Sequence, residues 1–95
     1  MKPDNKEILS YYMNNDLGSF HALMDGYKSG VYALVYSELL NPRDAENITQ
    51  EAFLKAYNNL HRWDPDVDFN TWICSIALNL CSNWAEYPDH VVTMD

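Results

Sequence analysis

Between Asp16 and Leu40 the large apolar residues Phe20, Leu23, Tyr27, Val31, Leu34, Val35 and Leu39 recur at steps of three, four or one. That is the period of a single helical stripe, and a stripe this long needs other helices to cover it. The spacing predicts one long helix, or two with a bend. Gly26 and Gly30 lie inside it, where they suggest a close helix crossing or a local kink. Ahead of it, "PDNKEILSYYMNN" predicts a short helix starting at Asp4, with Glu7 as a capping-box partner and "NNDLG" as its end.

The segment "NPRD" closes the long helix and opens the next, because Pro42 cannot continue a helix and Asp44 is a good N-cap. A loop this short makes the two helices antiparallel neighbours. From Asp44 to Leu60 the buried stripe reads Ala45, Ile48, Ala52, Phe53, Ala56, Tyr57 and Leu60, and the opposite face carries Glu46, Asn47, Gln50, Glu51, Leu54 and Lys55. "HRWDPDVDF" breaks the pattern with Pro65 and three aspartates and reads as a loop pinned at its ends by Trp63 and Phe69. The last helix begins near Asn70 or Thr71 and runs toward Pro88. Its inner face is Ile73, Ile76, Ala77, Leu80 and Trp84; Trp72, Ser75, Asn79, Ser82 and Asn83 lie nearer the outer one. No strand alternation exceeds "VVT". The expectation is therefore an all-α fold, a compact bundle of three main helices plus a short N-terminal one. It forms a single domain over residues 1–95, with residues 85–95 as a C-terminal tail.

A core for such a bundle is affordable at this length, since 95 residues include three Trp, seven Tyr and three Phe. No apolar run approaches the roughly 20 residues a membrane span needs, and the N-terminus lacks a signal-peptide pattern, so the expected location is cytoplasmic. Cys74 and Cys81 are seven apart on a helix, roughly 10 Å along one face, beyond disulfide reach. The formal net charge is −8. All six Lys and Arg lie at or before Arg62, and the formally charged residues after it are all acids: Asp64, Asp66, Asp68, Glu86, Asp89 and Asp95. Such a balance gives no electrostatic footprint for nucleic acid.

The sequence shows no convergent catalytic chemistry. His21, His61 and His90 are scattered, without metal-ligand spacing, and the three glycines form no phosphate loop. Asp64, Asp66 and Asp68 alternate like the start of a calcium loop, but Pro65 intervenes and the glycine and final glutamate are missing. The expectation is a protein that is not an enzyme and carries no metal and no cofactor.

Taken in order, "DAENITQEAFLKAY" from Asp44 to Tyr57, then Asp64-Pro65, then Phe69, Thr71-Trp72, Ile76-Ala77 and Asn79 resemble the second conserved region of sigma factors of the extracytoplasmic-function (ECF) group. "DLGSFHALMDGYKSGVYALVYSELLN" is similar to the helix preceding that region, so the resemblance spans about residues 16–84. It implies a sigma-factor region 2 fold. It further implies that the helix from Asp44 docks on the clamp coiled coil of core RNA polymerase, presenting Asp44, Glu46, Asn47, Gln50, Glu51 and Leu54 to a basic surface.

The resemblance also implies that the loop and last helix take part in recognising and melting the minus-ten promoter element, capturing an unstacked base of single-stranded DNA. The residues it points to are Asn79, Trp72, Asp64, Asp66, Phe69, Asn70, Ser75 and Asn83. Asn79 matches the base-reading position, and Trp72 either stacks or supports the helix. The family's arginines and lysines on this helix are replaced by Asn70, Ser75 and Leu78, which removes most counterion-release affinity. The family's second domain, which reads the minus-thirty-five element, is not expected within residues 1–95, whether the chain is a fragment of a longer factor or stands alone. An anti-sigma protein is a further partner the resemblance implies. The alternative is a sigma-like regulatory or decoy module that occupies polymerase or an anti-sigma protein without productive DNA recognition.

Overall fold

The computed structural model describes residues 5–86. All regular structure among them is helical: α1 (Asn5–Met13), α2 (Leu17–Leu39), α3 (Pro42–Asn58), a 3₁₀ turn (Leu60–Arg62) and α4 (Phe69–Glu86). The expected helix start at Asp4 and the segment beyond Glu86 lie outside the described residues.

α2, α3 and α4 pack on one another, and α1 packs on α2. The connection between α2 and α3 is only Leu40 and Asn41, which folds them back antiparallel; accordingly Phe20 at the start of α2 meets Tyr57 at the end of α3, ring centroids 5.4 Å apart. The stripe that α3 buries is mostly alanine, Ala45, Ala52 and Ala56, and such small side chains let both neighbouring helices come close. Phe20, Met24, Tyr27, Val31 and Val35 of α2 fill the core from one side, and Phe69, Ile73, Ala77, Leu80 and Cys81 of α4 from the other. Ile8 of α1 is fully buried and closes one flank. Thr49 is also buried, its hydroxyl donating to the Ala45 carbonyl at 2.7 Å, so it costs no unsatisfied group.

Local boundaries differ from the sequence expectation in two places. The cap of α3 is Asn41, whose side chain accepts from the Asp44 N–H at 3.0 Å, and Pro42 is the first helical residue. A proline there loses nothing, because the first-turn N–H groups have no helical partner. Asp44 is thus in the first turn, where its charge suits the helix dipole. α4 starts at Phe69, and Asp68 accepts from the Thr71 N–H at 3.3 Å.

Gly26 and Gly30 mark neither a crossing nor a break: α2 is one continuous helix, both glycines are exposed, and a Cβ at either would meet nothing within 4 Å. Gly26→Ala and Gly30→Ala should therefore each raise stability by about 0.5–1 kcal/mol, read as a higher urea midpoint at unchanged slope.

At the end of α2, Leu40 has left-handed backbone angles (φ 55, ψ 30), and its N–H bonds the Tyr36 carbonyl. Glycine is the residue that adopts this C-terminal geometry without Cβ strain. Since the Leu40 side chain is 72% exposed, Leu40→Gly should gain up to about 1 kcal/mol in the same unfolding assay.

The cysteines are not joined to each other. Burial, with the charge of Glu38 adding to it, pushes the Cys81 thiol up and keeps it protonated at neutral pH. No described helix is long and apolar enough to cross a membrane.

Candidate functional site

Two surfaces bring together the residues singled out from the sequence. The first is the outward face of α3. With Ala45, Ile48, Ala52 and Ala56 turned inward, the helical period turns Glu46, Asn47, Gln50, Glu51 and Leu54 outward, and all five are exposed. Leu54 is 63% exposed and sits opposite the alanine stripe, flanked by amides and carboxylates. Asp44 is only half-buried and lies nearer the capping turn than the face itself.

Beside this face runs an apolar groove of about 620 Å³ between α2 and α3, walled by Phe20, Met24, Tyr32, Phe53, Leu54 and Tyr57. Phe53 and Tyr57, expected in the buried stripe, are half-buried along it. Their position is intelligible from the alanine stripe: the line of closest approach passes through Ala45, Ala52 and Ala56, which leaves the larger rings on its shoulder. Lys28 of α2 sits over the Phe53 ring at 6.0 Å and pairs with Asp25. His21 stacks on Tyr57 at 5.7 Å.

The second surface is the loop from Trp63 to Asp68 together with one flank of α4. Trp72, Ser75, Asn79 and Asn83 follow one another at steps of three and four, so they share that flank. Ser75, Asn79 and Asn83 are exposed, while Trp72 is half-buried against Trp63, the rings nearly parallel at 6.1 Å. Trp72, placed nearer the outer face by its period, is thus packed against the loop through Trp63. Asn70 is half-buried, and the Ser75 hydroxyl donates to the Trp72 carbonyl at 2.7 Å.

Phe69 is fully buried, edge-on to Trp63 and tilted against Tyr27. It is part of the core in this structure rather than a presented ring, and it anchors the start of α4. Asp64 is held inside the loop: its carboxylate accepts from the Asp66 N–H at 2.9 Å and its carbonyl from Val67. Asp66 is exposed. Neither end turn of α4 carries a basic residue.

The sequence reading missed Asn5. From the start of α1 its Nδ2 donates to the carbonyls of Pro65 at 2.7 Å and Val67 at 3.1 Å, and its Oδ1 accepts from the Phe69 N–H at 3.2 Å. Nothing local signals these bonds, which cross sixty or more positions of sequence. Among the described residues no group of three or more His, Cys, Asp or Glu is placed to hold a metal ion.

Comparison with known proteins places these two surfaces in context. The family described as Sigma-70 region 2 matches residues 23–86. The ECF RNA polymerase sigma factor SigW of Bacillus subtilis is 39% identical over 75 residues, 79% of this chain and 40% of that protein. The ECF RNA polymerase sigma-E factor of Escherichia coli K12 is 36% identical over 77 residues, 81% of this chain and 40% of that protein. The RNA polymerase sigma-H factor of Pseudomonas aeruginosa is 28% identical over 79 residues, covering 83% and 41% respectively. The chain thus spans about 40% of the length of these curated relatives. No solved structure matches it significantly.

Proposed function

We propose, for a chain that belongs to the Sigma-70 region 2 family, that it docks on core RNA polymerase through α3 and presents the α4 flank to the unpaired minus-ten strand during transcription initiation. It acts by binding and not by catalysis. The observation that carries this reading is Leu54, a large apolar side chain 63% exposed in the middle of an acidic and amide surface. An apolar centre with a polar rim is the anatomy of a protein interface. The acids around it, Glu46 and Glu51, complement a basic partner.

The strand-reading part of the proposal rests on Asn79, Asn83 and Ser75, which offer donors and acceptors to a base edge. Because α4 brings no cation to this flank, the phosphate contacts come from the polymerase, and the free chain holds single strands weakly. Trp72, stacked on Trp63, lies at the loop end of that flank.

A second reading is favoured by that same cation-free helix: a module that occupies polymerase, or an anti-sigma protein, without reading a promoter. Transcription from a pre-opened bubble template separates the two. A promoter-reading factor initiates there together with core polymerase, and a decoy suppresses initiation by a competing sigma factor.

A further inference from the structure

The loop between the 3₁₀ turn and α4 is a short irregular segment tied by several hydrogen bonds to its backbone. Asp64 closes one turn by accepting from Asp66 and Val67, and the Trp63 indole donates to the Val67 carbonyl at 2.9 Å. The remaining bonds come from a distant helix. The Asn5 amide donates to Pro65 and Val67 and accepts from Phe69, so one side chain engages three backbone groups across the loop. Asn5 also lies ahead of the residues that the family matches, which begin at residue 23.

A side-chain amide with its donors on two carbonyls and its acceptor on an N–H fixes the relative position of all three groups. Phe69 is the first residue of α4, so Asn5 sets the entry of that helix. The register of Trp72, Ser75, Asn79 and Asn83 follows from that entry.

We propose that Asn5 is a positioning residue for strand recognition: α1 clasps the loop from Pro65 to Phe69 and holds the α4 flank in the geometry that captures an unstacked base. This rests on the promoter-reading function proposed above. It assigns α1 a part in DNA reading that is exerted through the loop.

The test uses two variants in the full chain. Asn5→Asp keeps the size of the side chain and leaves an acceptor for the Phe69 N–H, but it turns oxygen toward two carbonyls. An acid at a helix N-terminus favours the helix, so α1 itself is not weakened. Asn5→Ala removes all three bonds.

Amide hydrogen exchange of Asp66 to Asp68 is read in the chain. Affinity for core polymerase, and capture of labelled single strands randomised at the minus-ten positions, are read on the complex. The expected result for Asn5→Asp is exchange about tenfold faster in the loop with α2 and α3 amides unchanged. Polymerase affinity should stay within about twofold, strand capture should fall about tenfold, and base preference should flatten. Asn5→Ala should show the same pattern. Unchanged loop exchange in Asn5→Asp would overturn the clasp. Faster loop exchange with undiminished capture and intact base preference would overturn the positioning role. Absence of strand capture by the parent complex would instead remove the promoter-reading function itself, a failure seen before any variant is compared.

Discussion

Replacing Gln50 and Glu51 together with lysine is expected to weaken binding to core RNA polymerase by about 100-fold or more, at unchanged helix content. Both side chains are exposed on α3 beside Leu54, so the fold scarcely depends on them. The local cost is a lysine placed four residues before Lys55, a few tenths of a kcal/mol for like charges one turn apart. At the interface the effect is far larger. An acid that meets a basic surface becomes a second positive charge against it, and like-charge juxtaposition across an interface costs several kcal/mol. Leu54→Ala completes the test without any change of charge: an interface anchor loses about tenfold or more in affinity on truncation, whereas loss of a side chain already 63% exposed leaves the thermal midpoint nearly unmoved. Titration calorimetry against polymerase, alongside circular dichroism of the free chain, separates binding from folding.

The second large effect is on stability and comes from Phe69. Phe69→Ala is expected to cost about 3–5 kcal/mol and to lower the thermal midpoint by on the order of 20 °C. The ring is fully buried and touches Tyr27 of α2, Trp63 of the loop and Trp72 of its own helix, with centroids at 5.1, 5.3 and 5.8 Å. Its removal leaves a cavity where the loop, α2 and α4 meet, and the aromatic neighbours cannot all close on it. Phe69→Leu refills most of that volume and should recover most of the loss. If Phe69 instead served DNA, both variants would lose strand capture at nearly parental stability. Scanning calorimetry of the two variants decides between these outcomes.

Much of the fold was legible because helical burial leaves a periodic trace. Phe20, Tyr27, Val31 and Val35 announce the buried face of α2, and Ile73, Ala77 and Leu80 that of α4. For α3 the same period also made the exposed face readable, because outward residues are those that the buried stripe leaves over. Boundaries were harder for a definite reason: Asn41 and Asp44 are both good N-caps, and the choice between them lies in Pro42, which is welcome at the first helical position and nowhere further in. Phe53 and Tyr57 were assigned to the core by period alone. Period does not report how far a neighbouring helix extends, and beside the small alanines α2 leaves these rings on the wall of a groove.

The loop was the least readable part. Its composition left Phe69 two readings, a pin to the core and a DNA contact, and the turn that Asp64 closes by accepting from Asp66 and Val67 emerges only from contacts made in three dimensions. Asn5 is the extreme case, a polar residue at a helix start whose partners are sixty and more positions away. A local capping role would have looked the same in sequence. Gly26 and Gly30 show the converse: glycines in a helix suggest close approach, yet both face open space.

Docking on RNA polymerase through the α3 face around Leu54 is decided by equilibrium titration of core polymerase with the parent chain and with Gln50→Lys/Glu51→Lys. The parent should bind saturably and the variant should lose that binding, with both proteins equally folded. Binding of equal strength by the two proteins, or none by the parent, would contradict it.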